Sequence, residues 1–472
     1  VQSLSNEVDA CGDSDFKFSE APLYEKKEVD IEDKELSFPE NDNDGEEYHI
    51  PRLHADLDSL NDWIKENGGT FDAQVKKSSD GWSLFTSSNI EKGEIIMRIP
   101  KSLCIHSNFD GTENHLLEST QKLMACLNKK HWRARLAIAL LSERVRESSH
   151  YKAYLRNLPF EFWGLPIFFS TSEFNLIQDI SLMQETRDRC KFLSDFAQKV
   201  LLPLHGTEND PFSGNRADVN AFGWGFACAS SRALRNFPSG EEEEKGAVMI
   251  PGIDLASHSI DPNCEVVSEG DFYLLVSLRK ISLLSEKETE KLTISYGALN
   301  NNQLLSDYGF TIDDNVYEST GVKCDFPIIS LARVIMGLSG NFREKRLKTK
   351  TREFSQNYVK IGDSTNQKFS EANLFLWQIT WLKCLRLIGP EKDDNFIITM
   401  NPESIDSRLW AYLRILYAPT EESLEMHGYN PFTLNDSGSF TSLQIESHVV
   451  KTMIGICLVT LQRFGTQVEQ DI

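Results

Sequence analysis

This 472-residue chain lacks paired cysteines, an apolar run long enough to span a membrane and an excess of basic residues. Its nine cysteines are odd in number, scattered from Cys11 to Cys457 and without a Cys-x-x-Cys pair, so neither a disulfide framework nor a zinc cluster is predicted. No apolar run reaches the roughly 18 residues that span a bilayer, and the longest, at 449–461, contains Lys451. Basic residues are outnumbered, with a formal net charge of −22, which argues against a nucleic-acid backbone as the main partner. We therefore expect a globular protein without a metal, a membrane span or direct nucleic-acid contact.

The acidic charge is concentrated at the start of the chain. Residues 1–48 combine Asp, Glu, Ser and Asn with few large apolar groups, so they bury too little surface to offset the entropy of ordering. We predict a disordered acidic tail there. One basic run, residues 343–352, is interpreted as a solvated loop.

The remaining chain alternates between strand-like and helix-like patterns. Within residues 49–326, short β-prone runs lie before and after a stretch of helical spacing at about 112–220. From 327 to 472 the apolar residues recur at helical spacing throughout. These patterns predict an α+β fold, in which a helical insertion splits a small β core and an all-α C-terminal domain follows.

Three short motifs carry polar groups at the ends of predicted strands. Gly81-Trp82-Ser83-Leu84 is a turn followed by a strand, although an Asp-Gly step before a strand is most often a plain hairpin turn. Asp254-Leu255-Ala256-Ser257-His258-Ser259 ends an apolar run in small polar groups and one His, which by itself is more often a structural, hydrogen-bonded histidine. Tyr308-Gly309-Phe310 places a phenol beside a flexible Gly, or packs into a core. No G-x-S-x-G elbow or phosphate-binding loop accompanies them.

Together, and in this order, the motifs resemble the SET domain. That family's pattern runs G-x-G, a helical insertion, S-R-A, D-x-x-N-H-S and Y-G-F. Here it corresponds to residues 81–83, 231–233, 254–259 and 308–310. The insertion sequences YLRNLP and LPIFFSTSEFNLIQ and the helical C-terminal region resemble the Rubisco large-subunit lysine methyltransferase group, whose C-terminal domain binds substrate.

The resemblance implies an S-adenosylmethionine-dependent protein-lysine N-methyltransferase, with a protein substrate that supplies the acceptor lysine. A protein-histidine acceptor is an alternative within the same group. The location implied is the chloroplast stroma, with the cytoplasm or nucleus as alternatives, and the oligomeric state stays open. By resemblance Tyr308 is catalytic, the cofactor residues are Gly81, Trp82, Ser83, Leu84, Arg232, Ser257 and His258, and the substrate residues are Ser231, Arg232, Arg235, Asp254 and Tyr308.

Two positions depart from the family pattern. Ser83 stands where the family usually has its second Gly, and Ser257 stands where it usually has the Asn that binds the polar end of the cofactor. A serine can make one of the hydrogen bonds of an Asn side chain but not the other. The lost hydrogen bond costs on the order of 1 kcal/mol of binding free energy if the former partner is left unsatisfied. These departures leave open a catalytically weakened SET-fold scaffold that binds a protein partner through its helical domain.

Overall fold

A computed structural model describes most of the chain. The described residues are 53–78, 81–108, 115–235, 246–282, 289–338, 374–389, 395–399, 405–425 and 441–461. The predicted acidic tail and the basic run at 343–352 lie outside them. The chain divides into two compact units, Val1–Ile312 and Asp313–Ile472.

The described residues of the first unit form ten short strands, several of them rich in β-branched and aromatic residues. Its largest sheet is antiparallel, in the order β1-β4-β9-β8, while β2 pairs with β3, β5 with β6, and β7 runs parallel to β10. The strands are β1 Thr70–Phe71, β2 Ala73–Ser78, β3 Gly81–Thr86, β4 Ile95–Pro100, β5 Ile105–His106, β6 Val248–Met249, β7 Ser257–His258, β8 Cys264–Glu269, β9 Phe272–Ser277 and β10 Thr293–Ile294.

Helices separate the strands up to β5 from those after it, so the predicted split β core is confirmed. The unit begins with α1, and α2 to α8 form the insertion. A long apolar core joins this insertion to the strands. The helices are α1 Leu57–Glu66, α2 Glu118–Ala125, α3 Trp132–Val145, α4 Lys152–Leu155, α5 Thr171–Phe174, α6 Ile180–Phe196, α7 Leu202–Leu204, α8 Val219–Arg232 and α9 Asn301–Tyr308.

Helix α8 carries the Ser-Arg-Ala motif at its C-terminal end, and its position follows from the sequence. Asp218 caps its start by accepting a hydrogen bond from the Ala221 amide at 2.8 Å. Gly225 lies so close to α3 that a Cβ there would be 2.9 Å from the Ala137 carbonyl oxygen. The missing side chain therefore allows α8 to pack directly on α3.

Helix α9 ends at the Tyr-Gly-Phe motif. Asn300 and Gln303 form a capping box at its start, and Gly309 ends it in the left-handed conformation with φ of 81°. The carboxylate of Asp307 accepts hydrogen bonds from Arg133 of α3 at 2.6 Å and from Arg189 of α6 at 2.7 Å. Two helices of the insertion thereby hold the last turn of α9, which carries Tyr308.

Gly164 is the point where the insertion meets the turn after α9, and it should not tolerate a side chain. Its φ is 91°, and a Cβ would lie 2.5 Å from the Gly309 carbonyl oxygen. Gly214 has a similar φ of 77° with nothing within 4 Å among the described atoms. We expect Gly214→Ala to cost about 1–2 kcal/mol from backbone strain alone, and Gly164→Ala at least about 1 kcal/mol more. Denaturant unfolding of both variants measures this difference, and equal losses would contradict the close approach.

The second unit is largely helical, as predicted for residues 327–472, but a strand at Asn395–Thr399 lies inside the range predicted to be all-α. Strands β11, Ser319–Lys323, and β12, Asn395–Thr399, form a two-stranded antiparallel sheet. The β-branched run in Asn395–Thr399 favours an extended backbone, which the helical spacing around it obscured. The helices are α10 Phe326–Ile335, α11 Leu376–Cys384, α12 Ser407–Tyr417, α13 Glu422–Glu425 and α14 Leu443–Leu461.

Helix α14 includes the longest apolar run of the sequence, and it is a core helix as expected. Val449, Met453 and Ile456 are buried in the apolar core of the second unit. At its start, Glu446 is paired with Arg414 of α12 at 3.0 Å. Among the residues that the structure describes, no helix is long and apolar enough to cross a membrane.

Candidate functional site

The two positions that depart from the family pattern contact each other. Ser83 on β3 and Ser257 on β7 have their hydroxyl oxygens 3.1 Å apart, and Ser78 on β2 lies 3.1 Å from Ser83 on its other side. The β2-β3 hairpin sets this geometry, with Gly81 in the positive-φ region at 106° and open space where a Cβ would be. The Gly81 and Ser257 segments therefore form one polar site, as the resemblance implies.

His258 lies next to this site and is held by the backbone. Its Nδ1 accepts a hydrogen bond from the Tyr296 amide at 3.1 Å. Burial lowers the pKa of His258 below its ordinary value, so the ring is neutral at pH 7. His258 therefore makes a structural hydrogen bond, and it also lies beside the polar site.

Arg232 and Asp254 form a buried ion pair behind the motifs. The Arg232 Nη1 donates to the Asp254 carboxylate at 3.2 Å, and the same carboxylate accepts hydrogen bonds from the Tyr154 hydroxyl at 2.9 Å and the Gly252 amide at 3.1 Å. Burial raises the pKa of Asp254, which Arg232 and Tyr154 partly oppose. The Arg232 Nε is buried without a hydrogen-bond partner among the described residues. This pair holds the C-terminal end of α8 against the chain that leads into β7.

Tyr308 borders a narrow pocket with Tyr296. The two rings stack with centroids 4.7 Å apart, and the Tyr296 hydroxyl donates to the Ala256 carbonyl at 2.7 Å. Burial raises the pKa of both phenols, that of Tyr296 to about 12, so both are protonated at neutral pH. The cavity volume is about 10 Å³, the room that about one water molecule needs. The pocket is lined by Ser231, Arg232, Ala233, Leu234, Asp254, Ala256, Ile294, Tyr296 and Tyr308.

Four of the five predicted substrate residues line this pocket: Ser231, Arg232, Asp254 and Tyr308. Arg235 does not line it. Its guanidinium stacks over the Trp132 ring at 5.2 Å, although it is near enough to lower the pKa of Tyr308 slightly against the effect of burial.

Two of the predicted cofactor residues, Trp82 and Leu84, differ in how far their side chains are exposed. The Leu84 side chain is fully buried in the core, and its carbonyl accepts a hydrogen bond from the Leu292 amide at 2.9 Å. Trp82, by contrast, is 46% exposed on β3. Leu84 thus supports the strand, while Trp82 has an accessible ring.

Sequence reasoning missed Tyr154 and Tyr296 as site residues. Tyr154 belongs to an insertion motif about 100 residues from its partner Asp254, so no local pattern connects the two. Tyr296 lies in the run Leu292–Gly297, where the Tyr-Gly step was the available sequence signal, and the structure gives Gly297 a φ of 120°. Among the described residues, no group of three or more His, Cys, Asp and Glu side chains is placed to hold a metal ion.

Two protein-family models match the chain. The SET domain model covers residues 81–297, and the Rubisco LSMT substrate-binding model covers residues 370–472. The first match begins at the Gly81 turn and ends at Gly297, so Tyr308 lies beyond it. The two matches correspond to the split β core and to the helical C-terminal region.

Curated relatives match slightly more than half of the chain at low identity. N-lysine methyltransferase setd6 of Danio rerio is 23% identical over 57% of this chain and 60% of its own length. The chloroplastic ribulose-1,5 bisphosphate carboxylase/oxygenase large subunit N-methyltransferase of Nicotiana tabacum is 26% identical over 55% and 52%. Actin-histidine N-methyltransferase of Xenopus tropicalis is 21% identical over 56% and 44%. The chain spans about half the length of the curated relatives it matches.

Solved structures agree with the fold over more of the chain. The crystal structure of the SET domain of LSMT bound to lysine and AdoHcy superposes with a TM-score of 0.58 at 18% identity. The match covers 88% of this chain and 83% of that one. The chain therefore has the fold of these SET-domain structures, and it matches the SET domain model and the Rubisco LSMT substrate-binding model in two separate regions.

Proposed function

We propose that the protein is an S-adenosylmethionine-dependent protein-lysine N-methyltransferase. The observation that carries the proposal is the narrow pocket at Tyr308, which lies between the Ser-Arg-Ala end of α8 and the strand pair that holds Ser257 and His258. The setd6 relatives, which are named N-lysine methyltransferases, support lysine as the acceptor.

The residues of the polar site are suited to the cofactor. Gly81 leaves open space beside the strand, Ser257 is half-exposed at the end of a hydroxyl chain, and Arg232 has a buried Nε without a partner among the described residues. We propose that these residues, with Trp82, Ser83, the Leu84 backbone and His258, hold S-adenosylmethionine. When bound, it supplies an electrophilic methyl group, and transfer then depends on positioning more than on covalent catalysis.

The pocket residues are suited to prepare an acceptor amine. A lysine has an unperturbed pKa near 10.4 and must lose its proton before it attacks. Walls formed by Ala256, Ile294 and two phenol rings desolvate the amine, which favours its neutral form. The Tyr308 hydroxyl makes no hydrogen bond with the described residues, so it is available to orient the nitrogen. Ser231 and Asp254 border the same space, and Arg235 stands outside it.

Cofactor affinity tests this proposal directly. We expect calorimetry to show S-adenosylhomocysteine or S-adenosylmethionine binding with a Kd in the micromolar range or lower, together with a raised melting temperature, because a ligand that binds only the native state stabilises it. No heat and no thermal shift at millimolar ligand would overturn the enzyme proposal. That result would favour the scaffold that binds a protein partner through residues 327–472, the domain that we propose contacts the protein substrate.

The acceptor and the location are separate parts of the proposal. Mass spectrometry of a labelled protein would distinguish a methylated lysine from a methylated histidine, the product named for the Xenopus relative. The chloroplastic Nicotiana relative supports a place in the chloroplast stroma. A fluorescent fusion of the protein expressed from its natural gene would test it, and fluorescence confined to cytoplasm or nucleus would overturn it.

A further inference from the structure

The Ser78, Ser83 and Ser257 hydroxyls form a continuous chain, and donor counting gives it a direction. The Ser78 hydroxyl donates to the Gly81 carbonyl oxygen at 3.1 Å, which can only accept. A serine hydroxyl has one hydrogen, so Ser78 must accept from Ser83 across the next 3.1 Å contact. Ser83 has then used its own hydrogen and must accept from Ser257.

The burial of the three residues shows which end of the chain meets a ligand. Ser83 is only 1% exposed and is enclosed between its two hydroxyl neighbours. Ser257 is partly exposed, and because Ser83 has used its own hydrogen, donor counting places the Ser257 hydrogen between the two oxygens. The Ser257 oxygen therefore offers a ligand only its lone pairs and can act only as an acceptor. Because hydrogen bonds in a chain polarise one another, the two bonds that follow strengthen this acceptor.

We propose that this directed chain makes the Ser257 oxygen an acceptor for a ligand ammonium group, with Ser78 and Ser83 as positioning residues that act through it. The inference rests on the proposed cofactor, whose amino-acid end carries both an ammonium and a carboxylate. An Asn at this position offers an N–H donor as well as an acceptor, whereas the directed serine chain offers no donor. The two departures from the family pattern thus act as one unit, and the site selects for the ammonium and against a carboxylate.

Two ligands and five variants test the chain. Calorimetry measures the Kd of S-adenosylhomocysteine and of the analogue with hydrogen in place of its α-amino group. We expect the wild-type protein to prefer S-adenosylhomocysteine at least about 10-fold, the size of one charge-assisted hydrogen bond. Ser257→Ala should reduce this preference at least about 3-fold while the analogue's Kd stays constant.

The positioning residues give the decisive comparison. Ser83→Ala removes the acceptor for the Ser257 hydrogen, and Ser78→Ala lets Ser83 reverse and donate toward Ser257. Both variants should reduce the preference by a similar factor, about 3-fold or more. Ser78→Thr keeps a hydroxyl on a β-strand and should retain the wild-type preference. Ser83→Thr keeps the hydroxyl but adds a buried methyl group, so any loss of affinity should be equal for the two ligands and leave the preference in place.

Each outcome separates this inference from the cofactor proposal. If Ser257→Ala lowers the preference but Ser78→Ala and Ser83→Ala do not, Ser257 acts alone and the chain is refuted. If the alanine variants weaken both ligands equally, the serines have only a structural role and the inference is overturned while the cofactor stands. If the wild-type protein binds neither ligand, the cofactor proposal fails and this inference fails with it.

Discussion

Tyr308→Phe is expected to lower methyl-transfer turnover by about 10-fold or more while leaving cofactor affinity unchanged. The Tyr308 hydroxyl makes no hydrogen bond with the described residues, and burial holds the phenol in its protonated form. A group that orients the acceptor amine acts mainly in the transition state, so its loss lowers turnover without a matching loss of cofactor binding. The ring itself is retained by stacking on Tyr296.

The assay compares wild-type and variant proteins in extracts incubated with methyl-labelled S-adenosylmethionine, with calorimetry for cofactor affinity. Tyr151→Phe is the matched control, because Tyr151 is fully buried and its hydroxyl accepts one hydrogen bond from the His115 amide. It should cost about 1 kcal/mol of stability and leave labelling unchanged. Equal labelling by wild-type and Tyr308→Phe proteins, with the variant less stable, would show that Tyr308 is structural. Absence of labelling by either protein would count against the methyltransferase proposal.

The order of motifs along the chain was enough to predict the fold class and most of the pocket. Ser231, Arg232, Asp254 and Tyr308 converge because α8, the segment before β7, and α9 end at the same place. Each of these elements has a local signal at its boundary, such as the Asp218 cap of α8 and the Gly309 end of α9. Where local signals end an element near a motif residue, the sequence indicates where in the fold that residue lies, while its role stays a prediction.

Contacts between segments that are distant in sequence could not be predicted from local signals. Ser83 and Ser257 are 174 residues apart, so their hydroxyl contact follows from the meeting of β3 and β7 and from no local pattern. Tyr154 was missed for the same reason. Arg235 follows the Ser-Arg-Ala motif closely in sequence, yet an available aromatic face, Trp132, draws its side chain away from the pocket. Proximity in sequence to a motif therefore predicts membership of the pocket less well than a position at the end of an element that reaches the pocket.

Asp254→Asn is expected to lower the free energy of unfolding by about 3–5 kcal/mol, because it leaves a buried cation without its partner. The Asp254 side chain is 2% exposed and that of Arg232 is 18% exposed. Burial alone would lower the pKa of Arg232, but Asp254 raises it above its ordinary value, so the guanidinium stays charged. An amide in place of the carboxylate cannot compensate that charge and turns an N–H group toward surrounding donors. Glu118→Gln, which breaks the exposed pair with Lys122 at 2.7 Å, is the control and should leave stability nearly unchanged, because water screens that pair.

A double variant shows whether the stranded charge causes this loss. Arg232→Gln removes the cation, so Asp254→Asn combined with Arg232→Gln should be more stable than Asp254→Asn alone. Denaturant unfolding at neutral pH measures all four proteins, which makes the comparison independent of any substrate or cofactor. If the two substitutions instead add to a larger loss, packing and the Tyr154 hydrogen bond dominate at this position. If Asp254→Asn costs no more than Glu118→Gln, the ion pair contributes nothing to the end of α8, and the account of how the site is held would be wrong.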